Sequence, residues 1–117
     1  MNNFTIYHNP RCSKSRLTLE LLKEKGINPD IILYLKTPPS ENQLASILKK
    51  LNFRARDLLR KGEAEFKELK LSDSSKSEED LIKAMINFPK LMERPIIINR
   101  DRAVIGRPPE NVLEIIK

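Results

Sequence analysis

Residues 4–35 spell out strand, helix, strand, and no other pattern in the sequence restricts the fold as much. Phe4 and Ile6 with Thr5 and Tyr7 suit a short buried strand, and Asn9-Pro10 breaks it. Ser13 or Ser15 can start a helix carrying Leu17, Leu21 and Leu22, and Gly26 suits its C-terminal end. Pro29–Leu35, with the nearly continuous apolar run IILYL, reads as a second buried strand. A strand-helix-strand unit this compact implies two parallel strands joined by a right-handed crossover. It also leaves Cys12 where the first strand hands over to the helix.

The middle of the chain is helical. Thr37-Pro38-Pro39 makes a stiff turn, and Ser40 with Gln43 forms a capping box ahead of Leu44, Ile47, Leu48 and Leu51 at helical spacing. Residues 53–70 suggest short helices, with Leu58 and Leu59 inward and a turn at Lys61-Gly62. Ser77 with Asp80 opens a helix bearing Leu81, Met85 and Phe88 on one face and closing before Pro89. Pro95–Asn99 and Ala103–Gly106 then form a hairpin around a polar turn. Pro108-Pro109 lead into a last helix with Val112, Ile115 and Ile116 inward. The expectation is one α/β domain of 117 residues with a mixed sheet, in the order β-α-β, helical insertion, β-β-α.

Composition narrows the chemistry. The net charge of +6 comes from 22 Lys and Arg against 16 Asp and Glu, interleaved and with only 5% aromatic residues, which argues against a nucleic-acid groove. The apolar runs are too short to span a bilayer and there is no signal peptide, so a cytoplasmic location is expected. The chain has one cysteine and one histidine, an inventory that offers no metal site. A single cysteine also cannot form an internal disulfide, so a redox cycle through Cys12 must take its resolving thiol from another molecule.

At a helix N-terminus Cys12 meets unpaired N–H groups and the positive end of the helix dipole. Arg11, Lys14 and Arg16 add three nearby cations, and all of these favour a thiolate. The plainer alternative is a small buried hydrophobe, the usual fate of a free cysteine. Arg60, Arg94 and Arg107 lie where elements begin or end, and guanidinium forks bind tetrahedral oxyanions bidentately. Spacing does not relate them to Cys12.

Five blocks, IYHNPRCSKSR, YLKTPPS, LLRKGE, LMERPII and IGRPPE, together resemble the glutaredoxin-linked arsenate reductase family, in the same order and across essentially the whole chain. The resemblance implies a thioredoxin-like fold with a helical insertion at about residues 40–90. It implies Cys12 as the nucleophile on arsenate, Arg60, Arg94 and Arg107 as oxyanion-binding residues, and His8 and Ser15 as supporting residues. Pro95 matches that fold's cis-proline. No bound cofactor is implied; glutathione is the co-substrate and glutaredoxin the protein partner of an expected monomer.

Rival readings divide on spacing. Small cysteine phosphatases carry arginine six positions after the cysteine, where this chain has Thr18. Redox-sensing regulators of the same fold use C-x-x-C, where this chain has Cys12 and Ser15, although a partner-docking role without that switch stays open. A monothiol enzyme transferring glutathione on another substrate is the remaining alternative.

Overall fold

The computed structural model describes residues 3–116, which divide into two compact units, 3–37 with 94–116 and Pro38–Glu93. In the first, β1 (Phe4–Tyr7), α1 (Ser13–Glu24) and β2 (Asp30–Ile32) are followed by β3 (Ile96–Asn99) and β4 (Arg102–Ile105). The sheet order is β2-β1-β3-β4, with β1 parallel to β2 and antiparallel to β3, and β3 antiparallel to β4. This is the expected mixed α/β sheet of thioredoxin-like kind. Ile6 faces Ile31 on one side and Ile97 on the other. Ile6 and Ile97 join Leu22, Val112 and Ile115 in a single core, so α1 and the C-terminal segment cover the same apolar surface of the sheet.

Three expectations needed correction in this unit. The run Pro29–Leu35 is not one buried strand. Only Asp30–Ile32 is strand, and Ile31, Leu33 and Leu35 are 47%, 37% and 45% exposed while Tyr34 is buried. As the edge of the sheet β2 has a neighbour on one side only, and Lys36 and Thr37 N–H turn back onto the Leu33 carbonyl. The last helix is 3-10 rather than α, over Pro109–Ile115. Its buried residues Pro109, Val112 and Ile115 recur every third position, which a three-residue turn aligns on one face. Finally, the residue capping α1 is Cys12 itself, in extended conformation, rather than a serine.

The second unit holds α2 (Glu41–Leu51), α3 (Ala55–Leu58), α4 (Ala64–Glu68) and α5 (Glu78–Asn87). Both expected capping boxes form. Gln43 N–H donates to Ser40 Oγ at 3.1 Å and Ser40 N–H to Gln43 Oε1 at 2.9 Å, and the Ser77–Asp80 pair repeats this at 3.1 and 3.0 Å. Leu44, Ile47, Leu48 and Leu51 are buried, as are Leu81 and Met85. Phe88 is 38% exposed, because α5 ends at Asn87 and Phe88 has left helical geometry. Leu59 pairs with Met92 in an antiparallel bridge that leads the chain back to Arg94. Among the described residues no helix is long and apolar enough to cross a membrane.

Candidate active site

The turn before α1 sets the position of Cys12. Asn9 accepts the Arg11 N–H on its side chain and the Cys12 N–H on its carbonyl, both at 3.0 Å, and the Cys12 carbonyl accepts the Arg16 N–H to start the helix. The half-exposed sulfur therefore faces N–H groups of the first turn that have no helical partner. Burial pushes the thiol up. The Ser15 N–H, a hydrogen bond and positive charge from Arg94, and the Lys14 N–H outweigh it, so Cys12 ionises below its ordinary value.

The cation on the sulfur is thus Arg94 and not the local group expected from sequence. Arg11, Lys14 and Arg16 are all exposed; Arg16 donates to the Pro10 carbonyl at 2.8 Å, and Lys14 reaches the thiol through its backbone N–H. Water screens charges displayed this way. Arg94 precedes a cis peptide to Pro95, as the resemblance implied, and its buried Nε has no hydrogen-bond partner among the described residues.

His8 directly follows β1 and is buried, its N–H bonded to the Ile32 carbonyl at 2.8 Å. Its Nδ1 lies 2.6 Å from Ser15 Oγ, which also accepts the Asn9 N–H at 3.1 Å. Burial, then the charges of Arg16 and Lys23, hold His8 below its ordinary value. A neutral imidazole protonated on Nε2 satisfies this arrangement, with the Ser15 hydroxyl donating to Nδ1. Ser15 thus serves twice: its side chain fixes the His8–Asn9 turn and its backbone faces the sulfur.

Cys12, His8, Ser15 and Arg94 are brought together. Arg107 belongs to the same unit, after Gly106 and before a second cis peptide, to Pro108; its side chain is exposed and makes no hydrogen bond or ion pair among the described residues. Arg60 belongs to the other unit. There its N–H bonds the Leu91 carbonyl at 2.7 Å, and its guanidinium pairs with Glu93 at 3.1 Å and Glu63 at 3.6 Å. Sequence reasoning missed both acids, although Glu63 at i+3 was a readable signal. It also passed over Gly106, whose place directly before Arg-Pro suggested a close backbone approach. Among the described residues no group of three or more His, Cys, Asp or Glu could hold a metal ion.

The sequence profile of the ArsC family matches residues 7–115. The uncharacterized protein YfgD of Escherichia coli K12 is 59% identical over 112 residues, covering 95% of this chain and 94% of its own. An arsenate reductase of Haemophilus influenzae is 52% identical, over 95% of this chain and 97% of its own. The solved arsenate reductase from Vibrio cholerae superposes with a TM-score of 0.94 at 49% identity, covering 96% of each chain.

Proposed function

The chain belongs to the ArsC family, and on that premise we propose that it reduces arsenate to arsenite, with Cys12 as nucleophile and outside thiols as the reductant. The observation that carries this reading is Cys12 at the head of α1 with the Arg94 charge lowering its thiol, and a buried Arg94 Nε that has no hydrogen-bond partner among the described residues. That pairing suits a thiolate that must attack an anion. The thiolate attacks As(V) and water leaves. Glutathione then adds to arsenic with loss of a second oxygen as water. Glutaredoxin takes the glutathionyl sulfur as a mixed disulfide, two electrons pass to arsenic, and hydrolysis releases arsenite and free Cys12. Two external thiols supply both electrons, and the scheme uses no bound cofactor or metal. It suits a monomer acting in the cytoplasm, where such thiols are kept reduced.

Magnitudes assign the larger share to the arginines. Lowering a thiol by ~2 pH units raises its thiolate fraction roughly 25-fold near neutrality, but the loss of nucleophilicity returns roughly 6- to 10-fold. Donors oriented at developing charge are worth on the order of 100- to 1,000-fold each. In this reading Arg94, Arg107 and Arg60 bind the oxyanion, and Arg60 exchanges its carboxylate partners for it. His8 and Ser15 hold the thiol turn.

The test is NADPH-coupled arsenate reduction with glutathione and glutaredoxin, comparing wild type with Cys12→Ser. Turnover in the wild type and background in the variant is the expected result; equal rates would end the reading. Inert arsenate with glutathione transfer to a disulfide substrate would put the monothiol transferase in its place.

A further inference from the structure

Thr18 is wholly buried in α1, and its hydroxyl lies 2.8 Å from the Lys14 carbonyl and 3.3 Å from that of Gly106. A hydroxyl has one proton, and the shorter contact directs it to Lys14. The Lys14 carbonyl and the Ser15 N–H belong to one peptide group, and Ser15 is the third residue of α1, so its N–H has no helical carbonyl to bond and points toward the N-cap residue Cys12, whose thiol it helps to hold low. A hydrogen bond accepted at the carbonyl end of an amide enlarges its dipole and strengthens the donor at the other end, by roughly 10–30% per bond. The Thr18 hydroxyl thus acts on the same peptide group whose N–H is turned toward Cys12.

The Thr18 end of this arrangement is buried. A Cβ on Gly106 would stand 2.5 Å from Thr18 Oγ1 and 2.8 Å from Pro95 Cγ, so no side chain fits there. Gly106 N–H in turn bonds the Pro95 carbonyl at 2.9 Å. One buried contact thus joins the helix turn that supplies N–H groups to the residue following Arg94. We propose that Thr18 is a positioning residue for the Cys12 thiolate, its hydroxyl holding and polarising the Lys14–Ser15 peptide whose N–H faces the sulfur. Thr18 touches no reacting atom; it acts through that peptide.

The measurement is the pH dependence of Cys12 alkylation by iodoacetamide, which needs no arsenate and answers separately from the reductase assay. Thr18→Val keeps the branched shape and removes the donor, while Thr18→Ser keeps the donor and removes a methyl. The midpoint is expected to rise by a few tenths of a pH unit in Thr18→Val, roughly the worth of a 10–30% weaker charged hydrogen bond. Thr18→Ser is expected to keep the wild-type midpoint. Thr18→Ala lacks the donor without crowding, and supplies the same expected rise if the valine variant does not fold. Ser77→Ala, which loses a helix cap in the other unit, controls for general loosening and should lower thermal stability with no change of midpoint. Wild-type midpoints in both Thr18→Val and Thr18→Ala would overturn the proposal, as would a rise in Thr18→Ser equal to that in Thr18→Val, or any comparable rise in Ser77→Ala.

Discussion

Arg94 and Arg60 are the same side chain in opposite company. Arg94 stands against a sulfur, and its buried Nε has no partner among the described residues. Arg60, in the helical unit, is clasped by Glu63 and Glu93 with its side chain only 24% exposed. A guanidinium facing a thiol leaves its charge to act on whatever the thiol does, whereas one between two carboxylates is already compensated. The lesson is that an arginine's position in the sequence does not say how much of its charge remains available.

The sharpest way to break the contrast is Arg94→Lys. It keeps the charge but loses the planar fork, and arsenate turnover should fall about 100- to 1,000-fold if oriented donors dominate. The alkylation midpoint of Cys12 should rise as well; unchanged values of both would deny Arg94 its assigned part. Arg60 comes next. Arg60→Lys should lose most turnover while leaving that midpoint where it is, since Cys12 draws its lowering from Ser15, Arg94 and Lys14. Glu93→Gln tests the compensation directly: with one competitor neutralised, the KM for arsenate should drop a few-fold, by the order of one exposed charge interaction. A KM that does not move would show that Arg60 serves its own unit alone.

The smallest effect concerns His8. Its folded value is depressed by burial and by Arg16 and Lys23, so its stabilising contribution is complete above the unfolded value near ~6.5 and is lost as pH falls through the folded value. Wild-type stability in urea should therefore decline between about pH 7 and pH 5 more steeply than that of His8→Asn. Parallel slopes would remove His8 from the account.

Local chemistry was legible and contact at a distance was not. Asn9-Pro10 before an amphipathic run placed Cys12 at a helix start, and Ser40–Gln43 and Ser77–Asp80 announced their helices, because each signal lies within four residues of its effect. The same nearness misled where Arg11, Lys14 and Arg16 were concerned. Adjacency in sequence put charge near Cys12, but the turn and the first helical turn leave those side chains exposed to water, and the guanidinium that acts on the sulfur arrives on the segment leading into β3. The apolar run Pro29–Leu35 misled for a related reason. Hydrophobicity alone cannot tell a central strand from an edge, which depends on how many neighbours the sheet supplies. Period three was written in Pro109, Val112 and Ile115, yet a single short helix gives too few turns to separate 3.0 from 3.6.

The exposed leucines and isoleucine of that edge carry a liability of their own. An apolar strand with open backbone groups is a template on which another chain can add, and sheets that grow this way become fibres. In this sheet β2 is only three residues long, and exposed Asp30 and Lys36 bracket Ile31, Leu33 and Leu35 with opposite charges. Any incoming strand in register must bury one of them. Those two side chains act as gatekeepers, and replacing both with apolar residues should raise the protein's tendency to aggregate without touching its core.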